Sequence, residues 1–465
     1  VAASLLKTED TIAAIATASG SGGIGIVRIS GPQAESILRR LVVPHRPQTA
    51  WQSHRLCYGK VVDRSGAVLD EAMAVLMRAP HSYTCEDVAE IQSHGSWPVL
   101  QAVLAEVLAV GARPAEPGEF TKRAFLAGRI DLTRAEAVAD LIEARTAASA
   151  KLAAEHLQGA LYERISAVRD ALVELLAQVE VAIDFPDDAV EILESGHLLD
   201  LLRTRAAQPL QRLLALAEQG RVFREGIKAV IAGRPNVGKS SLLNALLREE
   251  RALVADLPGT TRDTIEELIS VRGIPVHLVD TAGIRDHADA VEGLGIERAR
   301  RKVEQADLVL LVLDTSQELT ASDRELLRSL AGKKRILVLN KLDAAAPDML
   351  ERISREFAEE TQVLTAAKSG GGIEALLDAI QQAALGEGGA MEERLACAPN
   401  LRHKLILEKT LSACAQVEAT LLAGEPADLL AVDLQTALDH LADIVGLTTP
   451  DDVLDAVFSK FCIGK

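Results

Sequence analysis

The sequence predicts a multidomain protein of mixed α/β and α class: an N-terminal α+β domain, a helical domain, and an α/β module inserted into that helical domain. Three observations predict it. Residues 10 to about 120 mix short β-rich runs with one helical stretch. Between Leu132 and Phe185 the only Gly or Pro is Gly159, and Leu161, Ile165, Val168, Leu172, Leu175, Val179 and Ile183 recur at spacings of three and four, the signature of one amphipathic face. From Gly226 to about Leu385 strand-like and helix-like segments alternate, as an open, mostly parallel sheet requires. A chain of 465 residues exceeds what one core serves, so several domains are expected. The boundaries fall at residues 1–128, 129–225, 226–386 and 387–465, the last returning to the helical domain.

In the first domain the runs "TIAAIAT", "GIGIVRIS", "HRLCYGKVVD", "LDEAMAVLMRA" and "VAEIQSH" read as strands, with a helix near 97 to 110. "GSGGIG" at Gly20–Gly25 has the formal spacing of a dinucleotide-binding loop, but the short β-branched "IVRIS" follows where a helix is required, so it reads as a hairpin turn. From Leu132 the only Gly or Pro before Phe185 is Gly159, and one long helix is expected, closed by Pro186. A further helix should run to Gly220. After "GEGG", Leu430, Leu434, Leu438, Leu441 and Val445 form one stripe, and Thr449 with Pro450 starts a last helix at its cap and first position. The two helical halves should pack on each other, because neither stripe has another partner.

Composition narrows the function. Apolar residues make up 48% and aromatics only 3%, which favours helix over strand. The formal charge of −17 opposes indiscriminate binding to polyanions, so contact with RNA must be local. No apolar run approaches a membrane span and no secretory leader is evident, so a cytoplasmic location is expected. The five cysteines are scattered and never spaced CxxC, which indicates neither a disulfide framework nor a zinc site.

"IKAVIAGRPNVGKSSLLNALL" is a buried strand, a glycine-bounded loop and a helix, with Gly233, Gly238, Lys239 and Ser240 in GxxxxGKS register. The backbone from Asn236 through Val237, Gly238, Lys239, Ser240 and Ser241 can close around the phosphates of a nucleotide at a helix N-terminus. Lys239 then bridges β- and γ-oxygens, and the Ser240 hydroxyl ligates Mg2+. "IPVHLVDTAG" ends a second strand in Asp280, suited to hold Mg2+ through water; Thr281, Ala282 and Gly283 follow, with the Gly283 N–H toward the γ-phosphate. Between them "LPGTTRD" offers Thr261 to complete the metal shell and Thr260 beside it. Base choice is written in "ILVLNKLD": Asp343 can accept both N1–H and the 2-amino group of guanine, braced by Asn340 and Lys341, while "TAAKSG" supplies a backbone N–H from Ala366, Ala367 or Lys368 to the guanine oxygen. GTP is therefore preferred over ATP, because adenine would leave the carboxylate unpaired.

With these stretches in place, "GIGIVRISG", "EPGEFTKRAFLAGRIDLTRAEAVADLI", "AIDFPDD", "PGTTRD", "DTAGIRD", "GIERAR" and "FCIGK" resemble the MnmE (TrmE) family of tRNA modification GTPases over nearly the whole chain. The resemblance implies an N-terminal folate-binding and dimerising domain and a helical domain carrying an inserted Ras-like P-loop G domain. It implies a homodimer that works with the flavoprotein MnmG on tRNA. Together they would add a carboxymethylaminomethyl or aminomethyl group to C5 of the wobble uridine, using a tetrahydrofolate one-carbon unit.

The resemblance also bears on a local oddity. Ile284 stands in "DTAGIRD" where many GTPases carry a glutamine that orients water. It implies that K+ and an acid replace that glutamine and an arginine finger. Asn236 would be the first K+ ligand, with Ala255 and Leu257 carbonyls and Thr260 adding oxygens; the acid would be Glu292 in "DAVEGLGIERAR". A carboxylate about 6 Å from a phosphate charge is repelled by about 3 kcal/mol at an effective dielectric of about 20, so Glu292 would orient the attacking water through a second water. By the same resemblance Arg28, Glu90, Arg129 and Lys465 are 5-formyltetrahydrofolate ligands, Arg129 standing where Lys is usual, and Cys462 brings a thiol to that pocket. On the residues alone, Arg28 and Glu90 read as an ordinary ion pair, and a GTPase switch in ribosome assembly shares the nucleotide motifs.

Overall fold

The computed structural model describes residues 10–46, 50–185, 195–250, 266–280, 302–386 and 395–465. The chain forms two compact units: the described residues of Val1–Ala139, His156–Leu202 and Ser412–Lys465, and those of Asp140–Glu155 and Arg203–Leu411.

The first unit opens with a sheet of β1 (Ile12–Ile15), β2 (Gly22–Ser30), β3 (Val42–Pro44), β4 (Cys57–Val62), β5 (Val68–Met77), β6 (Val88–Gly95) and β7 (Arg113–Pro114) in the order β3-β4-β5-β6-β2-β1-β7. Every pairing is antiparallel except β1 with β7. Strict alternation explains its two faces. Ala74, Ile91 and Val27 sit in one row across the sheet and are fully buried, whereas the next row, Tyr58, Met73, Gln92 and Ile26, faces outward. The inner face is covered by α1 (Ala34–Leu41) and α2 (Trp97–Ala109). The α1 helix buries Ile37, Leu38 and Leu41 and places Glu35 in its first turn and Arg39 and Arg40 in its last, each favourable to the helix dipole. Because β1 runs straight into a glycine-rich turn and then β2, antiparallel to it, Gly20–Gly25 is a hairpin and the dinucleotide reading falls.

The expected single helix from Leu132 to Phe185 is divided. After α3 (Glu119–Leu126) come α4 (Leu132–Glu143), α5 (Ala147–Gln158) and α6 (Ala160–Asp184). The apolar stripe from Leu161 to Ile183 begins after both breaks and so does not register them. At the first, the Thr146 hydroxyl accepts from the Ser149 N–H (3.1 Å), starting α5 with a cap rather than a continued turn. At the second, Gly159 takes φ +103° at the N-cap of α6. The α6 stripe of Leu161, Ile165, Val168, Leu172, Leu175 and Val179 is buried, with Ile183 half-buried.

Next, α7 (Ser195–Leu201) passes through one π-helical turn, Leu202–Ala207, into α8 (Gln208–Glu225). That helix continues beyond the expected stop at Gly220, which faces the Cβ of Ala398 at a position where a side chain would come within 2.5 Å.

The second unit centres on β8 (Ile227–Ala232), α9 (Lys239–Glu250), β9 (Glu266–Val271), β10 (Ile274–Asp280), β11 (Leu308–Asp314), α10 (Ala321–Ser329), β12 (Arg335–Asn340), α11 (Pro347–Glu356), β13 (Gln362–Leu364) and α12 (Ile373–Leu385). The sheet order is β13-β12-β11-β8-β10-β9, parallel throughout except for β9. Strands covered on both faces read as continuous apolar runs, and β11, "LVLLVLD", is buried at all its positions.

The remaining helices are α13 (Leu401–Ala423), α14 (Ala427–Val445) and α15 (Asp451–Phe458). The predicted stripe Leu430, Leu434, Leu438, Leu441 and Val445 is buried on α14, which packs on α6 as the sequence requires. The last helix starts one residue later than expected, with Pro450 as its N-cap.

A buried ion network ties the first sheet to α3. Arg123, whose side chain is 4% exposed, pairs with Asp10, Glu86 and Glu119, and Arg113 pairs with Asp10 and Glu119. Burial alone would raise the Glu119 carboxyl; hydrogen bonds from Arg113, the Glu116 N–H and Arg123 outweigh it and hold the group below its ordinary value. A depressed carboxylate contributes stability above its unfolded pKa of about 4.3 and loses it as pH falls through the folded value. We expect Glu119→Gln to lower the melting temperature at neutral pH and to flatten the profile below about pH 4, measured by thermal denaturation across pH.

Candidate functional site

The glycine-bounded loop lies between the end of β8 and the start of α9, so its backbone N–H groups gather at the helix N-terminus, the natural seat of an anion. Asn236 is exposed with φ +63°, Val237 is buried, and Ser240 and Ser241 are exposed on the first turn of the helix. Gly238 takes φ +102°, and a Cβ there would run into the Asn340 side-chain amide. Lys239 folds back on its own loop, donating from Nζ to the Arg234 carbonyl (2.8 Å). It carries a positive charge to the loop mouth. Arg234 is in turn held by Asp323 of α10 (2.6 Å).

Asn340 joins three segments. Its Nδ2 donates to the Val237 carbonyl (2.9 Å), and its Oδ1 accepts from the Ala367 N–H (3.0 Å) and the Thr365 hydroxyl (3.2 Å). The phosphate loop, the "NKLD" segment and the "TAAKSG" turn therefore meet at the carboxyl ends of β8, β12 and β13, where open α/β sheets bind ligands. Asp343 is exposed on the 3-10 turn Leu342–Ala344, free of burial cost until a ligand covers it. Of the three backbone N–H groups expected at a guanine oxygen, two have partners within the protein: Ala366 donates to Gly371 O and Ala367 to Asn340 Oδ1. Lys368 is exposed beside them.

Asp280 closes β10 directly beside β8, its register partner being Ile231. The remaining expected positions, Ala255, Leu257, Thr260, Thr261, Thr281, Ala282, Gly283 and Glu292, lie outside the described residues.

The four expected folate positions also converge, in the first unit. Arg28 Nε donates to Glu90 (2.9 Å), the ion pair that the residues alone suggest, and Nη1 to the Gly464 carbonyl (3.4 Å). Its guanidinium stands 6.0 Å from the Tyr83 ring and 5.7 Å from that of Phe120. Arg129 approaches the first of these rings as well, 5.1 Å from Tyr83, and donates to the Ser82 carbonyl (2.8 Å). The carbonyl of Lys465 accepts from Phe120 N (3.2 Å), and Ile463 bridges to Pro117, so the segment bearing exposed Cys462 is strapped beside Arg28.

Residues 11–129 match the family described as GTP-binding protein TrmE N-terminus, and residues 132–462 the MnmE helical domain. The chain belongs to the MnmE family. It is 49% identical over 464 residues to the tRNA modification GTPase MnmE of Desulfotalea psychrophila (strain LSv54 / DSM 12343), covering 98% of each chain. The corresponding protein of Geobacter sulfurreducens (strain ATCC 51573 / DSM 12127 / PCA) is 49% identical over 462 residues, with 99% of this chain and 100% of that one covered. Among solved structures, the G domain of the T. maritima FeoB iron transporter is 29% identical, covering 34% of this chain and 98% of that one at a TM-score of 0.27. A single-residue variant of Aquifex aeolicus Era bound to GDP.AlF4- is 27% identical, covering 40% and 66% at a TM-score of 0.28.

Membership in the MnmE family accounts for the N-terminal and helical domains together, which a ribosome-assembly switch does not. Among the described residues no helix is long and apolar enough to cross a membrane. Sequence reasoning missed several residues that build the site. Tyr83 and Phe120 frame Arg28, and Asp314 and Thr315 at the end of β11 hold the Asn340–Lys341 segment. An aspartate closing a buried parallel strand is the signal that could have found the second pair. Removing the Asn340 amide strands the Val237 carbonyl and the Ala367 N–H without partners, at about 1–3 kcal/mol each. Asn340→Ala should therefore lower the stability of the nucleotide-free protein by roughly 2–6 kcal/mol, read by urea denaturation.

Proposed function

We propose that the chain is a K+-dependent GTP hydrolase of tRNA modification that acts as a homodimer with the flavoprotein MnmG. The reaction adds a carboxymethylaminomethyl or aminomethyl group to C5 of the wobble uridine, using a tetrahydrofolate one-carbon unit. The observation that carries the GTPase part is the Asn340 junction, which sets a phosphate loop and an exposed Asp343 on either side of one amide. Asp343 accepts the guanine N1–H and 2-amino group, and a backbone N–H of the Ala366–Lys368 turn meets the guanine oxygen. Lys239 exchanges its bond to the Arg234 carbonyl for the β- and γ-phosphate oxygens. The helix N-terminus of α9 binds the phosphates between them.

The donors suit hard cations. The Ser240 hydroxyl is exposed on the first turn of α9 and would hold Mg2+ with Thr261 and, through water, Asp280. Asn236, exposed at the loop's outer edge, offers an amide oxygen to K+, joined by Ala255, Leu257 and Thr260. Bound there, the two cations would neutralise charge that develops on the phosphates in the transition state. Glu292 orients the water that attacks the γ-phosphate, in place of the glutamine that Ile284 displaces.

In the N-terminal domain, Arg28, Glu90, Arg129 and Lys465 would hold 5-formyltetrahydrofolate or a related tetrahydrofolate. A carboxylate and two guanidinium groups around an aromatic ring match the donors, acceptors and flat face of a pterin. When bound, the folate supplies a carbon unit; Cys462 brings a thiol beside it. The uncovered row Tyr58, Met73, Gln92 and Ile26 supports dimerisation through this domain, since 47% of Tyr58 and 37% of Met73 is exposed on one sheet face.

Glu292→Ala should retain GTP binding and lose hydrolysis, and replacing K+ by Na+ should slow the wild-type enzyme. Phosphate release measured in both salts checks this, and unchanged turnover in both tests removes the mechanism. Calorimetry with 5-formyltetrahydrofolate should show binding to the wild type that Glu90→Gln weakens by at least about tenfold, the effect of losing roughly one charge-assisted hydrogen bond. An absence of heat with the wild type ends the folate assignment.

A further inference from the structure

We propose that Asp314 is a positioning residue for guanine recognition, its carboxylate holding the amino group of Lys341 in place before nucleotide arrives. The proposal rests on the GTP reading of the same site and adds a residue that no nucleotide motif contains.

Asp314 ends β11 and is 2% exposed, whereas the Lys341 side chain is 36% exposed at the site. Its Oδ2 takes the Lys341 Nζ at 2.6 Å and the Gln317 Nε2 at 2.9 Å; its Oδ1 takes the Ser316 N–H at 3.0 Å and the Ser316 hydroxyl at 2.6 Å. The neighbouring Thr315 donates twice to the Asn340 carbonyl, from its N–H (3.0 Å) and its hydroxyl (2.7 Å). Two successive residues at the end of β11 therefore grip two successive residues of the base-recognition segment.

The chemistry separates these bonds. Ser316 supplies neutral donors to Oδ1 and requires only an acceptor oxygen, which an asparagine also offers, and the Gln317 amide can turn its own oxygen toward an asparagine NH2, which Lys341 cannot do. A buried full charge is costly unless an ion pairs with it, and Lys341 is the cation in hydrogen-bond contact with Asp314. Burial by itself would raise the carboxyl; Lys341 and Ser316 hold it below its ordinary value, so the carboxylate stays ionised. What the charge secures is the lysine. Lys341 has its backbone at φ +65°, and its long stem would otherwise sample many rotamers, whose ordering would weaken ligand binding.

Asp314→Asn tests this cleanly, because the amide oxygen can keep the Ser316 bonds while the amide NH2 opposes Lys341. Binding of the fluorescent probe mant-GDP and steady-state GTP hydrolysis are measured for the full-length protein. We expect Kd for mant-GDP and KM for GTP to rise about tenfold, with kcat changed less than about twofold, as for loss of a preorganised charged contact. In a Lys341→Met background the same change should shift Kd by less than about twofold. Ser316→Ala combined with Gln317→Ala disturbs the turn but spares the pair, and should bind as the wild type does.

A wild-type Kd in Asp314→Asn, an equal loss in both Lys341 backgrounds, or a comparable loss in the turn variant overturns the proposal. Should Asp314→Asn fail to fold, Asp314→Ser, which removes the charge and leaves a hydroxyl oxygen for Ser316, takes its place with the same expectations. A wild-type protein that ignores mant-GDP overturns the GTPase reading itself.

Discussion

One side-chain amide holds the nucleotide-facing part of the molecule in register. Asn340 is 2% exposed and uses both ends of its amide, a donor to the phosphate loop and an acceptor from the turn after β13. An amide buried in this way has no substitute among the twenty side chains of similar size: a carboxylate would lose the donor, and leucine both. Gly238 follows from it, because the amide occupies the space where a Cβ would stand. The fold of the sheet supplies the rest, since parallel strands end their carboxyl termini on one side and bring loops distant in sequence to one edge.

How much of this was legible depends on the length scale of the cause. The phosphate loop, the "NKLD" segment and the "TAAKSG" turn announce themselves because each packs its chemistry into a few consecutive residues. So do the α14 stripe and the alternating strands, whose causes are local periodicity. The breaks in the 132–185 region were hidden because the stripe at three- and four-residue spacing, Leu161 to Ile183, begins only after Thr146 and Gly159, while capping by one hydroxyl or a single left-handed residue decides where helices end. The passage of α8 beyond Gly220 was hidden for another reason. The glycine there answers to Ala398, a neighbour far along the chain that leaves no room for a Cβ, and does not mark a helix end.

The same distinction applies within the sites. Arg28 and Glu90 pair across adjacent strands β2 and β6, a contact set by register, yet nothing near either residue in sequence names the other. Tyr83 and Phe120 went unnoticed because an aromatic residue gains functional meaning only from the guanidinium groups that flank it. Asp314 belongs to this class as well: its partner Lys341 lies one strand away, and only the parallel pairing of β11 with β12 brings the two strand ends level.

Inserting an α/β module between the two helical halves is thermodynamically cheap, which explains how a helix pair tolerates it. Roughly half the chain separates α6 from α14, yet the two pack together. Loop-closure entropy grows only logarithmically, at about 0.6 kcal/mol per doubling, so lengthening a connection eightfold costs about 2 kcal/mol. Burying one leucine returns about 1.5–3 kcal/mol, and α14 alone buries Leu430, Leu434, Leu438 and Leu441. The apolar stripe therefore outweighs the interruption by itself, provided the inserted module brings its own core. It does: the clusters on the two faces of the β8–β13 sheet are built almost wholly from residues between Val222 and Ala398.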